Sequence, residues 1–198
     1  MENKIKWETE MKAAKKQSRF ENKPVLLDFF NPGWIGCQQM DAVTYPDKNV
    51  IEFITKNIIP LRVPYNLEPL ATDFTIKWTP TLVVLDKNGK EHYRTVGFLP
   101  PEEFIPSLLL GIAKVHFELD QFKDAISNLE KILKDYPKSG AAPEAVYLHG
   151  VSNFKTTHER KPLKQAYERL TKEYPQSEWA KRALPYRLLW NIRIQGVK

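Results

Sequence analysis

The sequence contains a single cysteine, Cys37, and four histidines in 198 residues. One thiol excludes an intramolecular disulfide and every cysteine-rich zinc site; His92, His116, His149 and His158 lack ligand spacing, so no metal is expected. No apolar run approaches the length of a bilayer span, and the opening stretch MENKIKWETEMKAAKK is charged where a secretory signal needs an apolar core. The expectation is a soluble, cytoplasmic protein with no membrane partner, or a periplasmic one if a leader has been trimmed away. Also absent are a glycine-rich phosphate loop, a Gly-x-Ser-x-Gly elbow and a His-Glu-x-x-His pair. Nucleotide, serine-hydrolase and zinc-protease chemistry therefore have no support, and no cofactor is implied.

What is present suits a globular chain long enough to bury a core: 42% hydrophobic and 27% charged residues. The net charge of +6 is moderately basic. The lysines are dispersed through helical segments rather than blocked together, which fits a solvated surface and no nucleic-acid partner.

Apolar positions Ile5, Trp7, Met11, Ala13 and Ala14 predict an amphipathic helix from Ile5 to Phe20. PVLLDFF then reads as a central strand, apolar on both faces. A helix should start near Cys37 and break at Pro46, after which Asp47 caps KNVIEFITKN. IIPLRV is a short strand and Leu70 to Phe74 a helical turn. TPTLVVLDKNGKEHYRTVGF supplies two strands joined at Asp86-Lys87-Asn88-Gly89. This order predicts a three-layer mixed sheet with helices on both faces.

After Pro100-Pro101 the pattern is helical to the end. ILKDYPKSGAAPEA recurs as RLTKEYPQSEWAKRA, with Tyr136-Pro137-Lys138-Ser139 and Tyr174-Pro175-Gln176-Ser177 38 residues apart, an internal repeat of helical hairpins. KTTHERKP reads as an enlarged loop within the second unit.

Two families share these patterns. Residues 5–110 resemble a thioredoxin-fold domain: Asp28 matches the family's buried aspartate, Cys37 its second motif cysteine, Met40 a position in the following helix, and Thr79-Pro80 its cis-proline site. Trp34 falls where the first, nucleophilic cysteine stands. A one-residue gap would instead set Trp34 on the family's tryptophan and Ile35 on the absent cysteine; the ungapped spacing from Asp28 favours the former. Residues 106–190 resemble tetratricopeptide repeats, with Ala113, Ala125, Leu129, Ile132 and Pro137 at the expected spacing and Gly150 as the small residue of the second repeat. The implied fold class is α/β, a thioredoxin-like three-layer mixed sheet (1–110) followed by an all-α helical-hairpin domain (111–198), with helix 102–119 serving both. Two repeats are too few to stand alone, so they should pack on the first domain.

Thiol exchange needs an attacking thiolate and a second thiol to resolve the mixed disulfide. The resemblance makes Cys37 the buried, resolving member, although a thiol in the first turn of a helix is also favoured as thiolate. Cys37 thus reads either as structural or, with Asp28, as a residual redox site. A carboxylate within VLLDFF is costly to bury unpaired, and the family's aspartate handles protons for the buried thiol; a partly solvated Asp28 at the strand's end is the other reading. The family's backbone beside the cis-proline pairs with extended peptides, which needs no thiol. Trp34, Ile35, Trp78, Thr79 and Pro80 form the implied peptide-binding site, the alternative being that both tryptophans fill core space. The leading expectation is a protein that binds protein or peptide clients, its dithiol activity lost or crippled. The runner-up is a thiol-disulfide oxidoreductase, through a parent with cysteine at position 34 or single-thiol exchange at Cys37. Third is a single-cysteine peroxidase using Arg62 or Arg94.

Overall fold

The computed structural model describes residues 4–189. Its sheet has four strands, β1 (Val25–Phe30), β2 (Ile59–Pro64), β3 (Thr81–Leu85) and β4 (Glu91–Val96), in the order β2-β1-β3-β4. β1 pairs parallel with β2 and antiparallel with β3, and β4 is antiparallel to β3. Both neighbours of β1 being strands, its backbone is fully used within the sheet, and its side chains divide between two apolar layers. Val25, Leu27 and Phe29 face α1 (Met11–Glu21) and α4 (Leu70–Asp73). Leu26 faces α3 (Lys48–Asn57) and α5 (Pro101–Glu118).

The first helix is shorter than its spacing suggested. Residues 4–10 are not helical, and Glu8 bridges the outer edge of β2: its N–H donates to the Pro60 carbonyl at 2.8 Å and its carbonyl accepts from Arg62 N–H at 2.9 Å. Satisfying that open strand edge outweighs one more helical turn. Ile5 and Trp7 alternate with period two, which had passed for helical spacing, and both pack on the core.

Asp47 caps α3 by accepting from the N–H groups of Asn49 and Val50, so the break at Pro46 falls as expected. Between β1 and this cap lie α2 (Ile35–Gln39) and a π-helical turn, Met40–Thr44, closed by Tyr45 N–H on the Met40 carbonyl at 2.9 Å. In the β3–β4 hairpin Asp86 accepts from Asn88 and Lys90 N–H, while Gly89 takes the positive φ of 91° that the turn demands.

Beyond β4 the described chain is helical: α5, α6 (Phe122–Asp135), α7 (Ala142–Thr157), α8 (Lys161–Glu173), α9 (Glu178–Arg182) and a 3-10 turn, Leu184–Leu188. Residues 190–198, included in the expected helical domain, lie outside the described residues. None of the described helices is long and apolar enough to cross a membrane. The expected enlarged loop is not there. α7 runs through Thr157, His158 turns the chain at φ 58°, and α8 begins at Lys161. Lys155 to Thr157 carry no breaker, so the helix continues, and Pro162 sits in the first turn of α8, where its missing N–H costs nothing.

The two Tyr-Pro-x-Ser segments close their helices alike. Tyr136 N–H bonds the Ile132 carbonyl at 2.9 Å and Ser139 Oγ donates to the Tyr136 carbonyl at 2.8 Å; Tyr174 and Ser177 repeat this on Leu170 and Tyr174 at 2.9 and 2.8 Å. A side chain at Gly150 would put its Cβ 2.6 Å from Ala166 Cβ, so the hairpin requires glycine there.

One core joins sheet and helices. Leu26, Leu82 and Val84 meet α5 residues Phe104, Leu108 and Ile112, and the same cluster continues to Leu129, Ile132 and Ala145. Gly111 lets α5 lie against the sheet: a Cβ there would come within 2.7 Å of Val84 Cγ2 and 2.9 Å of Tyr93 Cδ1. Gly111→Ala should destabilise the whole chain by about 1–3 kcal/mol, read as one cooperative shift of the denaturant midpoint seen by both circular dichroism and tryptophan fluorescence. Loss of the sheet signal without the helical one would show the two parts to be independent.

Candidate functional site

β1 ends at Phe30, and Asn31-Pro32-Gly33 turns the chain into α2. Asn31 Oδ1 accepts from Gly33 N–H at 3.0 Å, Trp34 N–H donates to the Asn31 carbonyl at 3.1 Å, and Gln38 Nε2 donates to the Pro32 carbonyl at 3.0 Å. This turn fixes Trp34 just ahead of α2 and Cys37 within it. Cys37 is 0% exposed, and its Sγ accepts from Asn31 N–H at 3.3 Å.

The other half of the site follows α4. The Thr79–Pro80 bond is cis, as is Glu68–Pro69. Gly36 lies on this turn, where a Cβ would stand 3.0 Å from Pro80 Cδ. Trp34 and Trp78 meet edge to face with ring centroids 4.8 Å apart, and Ile35 adjoins Trp34 in sequence. All three side chains are open: Trp34 42%, Ile35 69% and Trp78 55% exposed. Neither tryptophan is core filler. Thr79 and Pro80 are buried, so their side chains offer a partner little. The Pro80 carbonyl is taken by Gly97 N–H at 2.8 Å, while the Thr79 backbone has no hydrogen bond among the described residues.

Asp28 is wholly buried, which removes the partly solvated reading. β1 places it directly beside Arg62 of β2. Its Oδ2 accepts from Tyr45 Oη at 2.8 Å and lies 2.9 Å from Arg62 Nε, whose N–H does not point at the carboxylate; Oδ1 has no protein donor. Arg62 spends its outer nitrogens on Asp41, at 2.7 and 3.2 Å, and its guanidinium rests 4.3 Å from the Phe30 ring centre and 5.2 Å from that of Tyr45. Trp7 completes the cage, edge to face on Tyr45 at 5.0 Å. The extra residue of the π turn lets Asp41 and Tyr45 both approach Arg62.

Burial lifts the Asp28 carboxyl from 3.8 to about 6; the Arg62 charge and the Tyr45 hydroxyl hold it from rising further. Tyr45, buried beside that carboxylate, is pushed well above its usual value and remains the donor. No hydrogen bond or ion pair links Asp28 to Cys37.

Sequence reasoning thus singled out the thiol and the aspartate but missed Tyr45, Asp41 and Trp7 as the groups gathered around Asp28 and Arg62. The available signal was a charge inside each of two apolar strands, Asp28 in VLLDFF and Arg62 in IIPLRV, a pattern that only cross-strand pairing makes tolerable. The peroxidase expectation loses its arginines. Arg62 is committed to Asp28 and Asp41, Arg94 to Glu91 and the Phe74 carbonyl, and neither is hydrogen-bonded to Cys37.

A profile of the thioredoxin-like domain matches residues 11–110, and one of the tetratricopeptide repeat matches residues 107–139. Among solved structures, a candidate disulphide-isomerase from Bacteroides thetaiotaomicron superposes with a TM-score of 0.50 at 21% identity, covering 57% of this chain and 96% of that one. A thioredoxin from Thermus thermophilus gives 0.48 at 23% identity over 53% and 85%. The oxidised DsbD C-terminal domain of Neisseria meningitidis gives 0.42 at 22% over 50% and 94%. At such identities the likeness concerns the fold. No curated protein sequence matches the chain significantly.

A carboxyl raised to about 6 makes the folded chain the better proton binder between the unfolded and folded values. Stability linked to that proton is complete below about pH 4 and lost as the pH climbs past about 6, an effect on the order of 3 kcal/mol. Asp28→Asn should abolish this slope and leave the variant more stable than the parent at neutral pH, measured by urea unfolding at intervals from acid to neutral. An unchanged slope would place the titration elsewhere.

Proposed function

Since the chain belongs to the thioredoxin-like domain family, we propose that it acts by binding polypeptide rather than by cycling a disulfide. The observation that carries this is the pairing of a closed thiol with an open indole: Cys37 is 0% exposed, while Trp34, at the position the family gives to the attacking cysteine, stands 42% exposed against Trp78. Disulfide exchange requires a thiolate to reach a substrate sulfur and a second thiol to release the product. Cys37 can do neither alone, and the sequence holds no other cysteine.

What remains suits recognition. The two indoles and Ile35 offer an amphipathic surface of the sort enriched at protein interfaces. Beside it the Thr79 N–H and C=O make no hydrogen bond among the described residues, and on this reading an extended client backbone takes them up. The tetratricopeptide-like helices, a module of protein–protein contact, support the same class of partner.

A second reading has one specific observation in its favour. The buried Asp28, with its carboxyl near 6 and its Tyr45 and Arg62 partners, is the proton-handling equipment expected of a dithiol site. On that reading a parent protein carries cysteine at position 34.

Insulin reduction by dithiothreitol separates the two. The parent chain should be silent and Trp34→Cys should show disulfide-reducing activity. A parent that turns over would overturn the binding reading, and a silent Trp34→Cys variant would remove the idea of a redox site lacking one part. Independently, the double change Trp34→Ser with Trp78→Ser should weaken binding of an unfolded client by at least about tenfold, measured by fluorescence anisotropy with a labelled, reduced and alkylated polypeptide.

A further inference from the structure

A groove of about 490 Å³ opens where the sheet part meets the repeats, between α3, the first turn of α5 and the end of α6. Phe53, Ile105 and Tyr136 line it as apolar surface, and Asp47, Glu52 and Glu102 stand among the polar residues around them. It is built from both parts of the chain and is separate from the Trp34–Trp78 surface.

The internal repeat supplies a template for what such a groove accepts. In the second repeat Tyr174 Oη donates to the Pro137 carbonyl at 2.6 Å, clasping the turn of the repeat before it. Tyr136 is the same residue one unit earlier, with matching backbone angles of φ −132° and ψ 47° against −134° and 50°. The first unit has no repeat before it. α3 occupies that flank instead, and Tyr136 Oη has no hydrogen-bond partner among the described residues while its ring lines the groove. The molecule therefore displays, once occupied and once open, a tyrosine suited to grip the carbonyl of a turning or extended chain.

Charge narrows the occupant. Among the described residues Lys56 is the one cation lining the groove, and it is committed to Glu52 at 2.6 Å. Glu102 has no partner among the described residues, and Asp135 lies close enough, with Asp47, to add to the effect of burial in raising the Tyr136 phenol. The groove is thus negative on a chain of net charge +6. A cationic segment, repelled by most of the surface, is steered here.

We infer that this groove binds an extended basic segment of a partner protein: one backbone carbonyl accepts from Tyr136 Oη, an aliphatic side chain rests on Phe53 and Ile105, and flanking lysine or arginine residues meet Glu102 and Asp47. This site works without any thiol and stands apart from the client surface proposed above.

The test uses the full chain and two fluorescein-labelled hexapeptides, Lys-Leu-Lys-Leu-Pro-Lys and Glu-Leu-Glu-Leu-Pro-Glu, followed by anisotropy. The basic peptide should bind at least about tenfold tighter than the acidic one and weaken with added salt. Tyr136→Phe, which removes one hydroxyl, should cost about fivefold, and Glu102→Lys about tenfold. Asn49→Lys, which adds a cation on the exposed rim without deleting a contact, should act in the same direction, so that the result does not hang on one variant. Tyr174→Phe should lower the melting temperature but leave binding alone. Trp34→Ser should bind the basic peptide like the parent. Equal binding of the two peptides, no binding of the basic one up to about 1 mM, or parent-like affinity in both Tyr136→Phe and Glu102→Lys would each overturn the inference. Loss of binding in Trp34→Ser would do so as well, by moving the peptide to the other surface.

Discussion

The structure depends on one helix being buried on both sides. α5 carries an unbroken run of buried residues from Phe104 to Ala113, so no face of that stretch is free for water. Such a helix is stable only between two partners, and here they are the sheet on one side and α6 and α7 on the other. The sheet would lose the cover over Leu26, Leu82 and Val84 without it, and the repeats would lose the surface on which the first hairpin folds. The Thr79–Pro80 turn, which leads into β3, and the groove beside Tyr136 both adjoin elements that meet at α5.

The region from β1 to α3 combines a buried thiol, a buried carboxyl and an exposed indole. Around the indole at position 34 stand the Asn31 turn, the short helix, the Gly36–Pro80 contact and a buried carboxyl. The indole is broad, amphipathic and rigid, and it finds a second indole at contact distance. On the binding reading proposed above, such a surface holds a chain by contact alone, while Asp28 titrates beside Arg62 and Tyr45.

Much of this was legible beforehand. Strands announced themselves by apolar runs bounded by turn residues, Asp47 by its place ahead of a periodic stretch, and the hairpins by their own recurrence. What escaped was whatever depends on neighbours distant in sequence. Ile5 and Trp7 sit at spacings compatible with helix or strand, and only the open edge of β2 decides between them. The π turn at Met40–Thr44 has no compositional mark, because it is selected by where Asp41 and Tyr45 must point. Arg62 could be seen as an anomaly in its strand, but its three aromatic neighbours come from three separate segments.

The matching closures at Tyr136 and Tyr174 bear on how a chain of this kind can grow. The second helical pair ends in a joint that fastens to the turn of the first, Tyr174 on Pro137, so a further pair added after Ser177 could be clasped in the same way without disturbing the sheet. The opposite end admits no such lengthening, because α5 is committed to β3 and β4. Elongation is therefore polar: new units accrue outward from the sheet, and length can change in steps of one helical pair while the face bearing Trp34 keeps its shape.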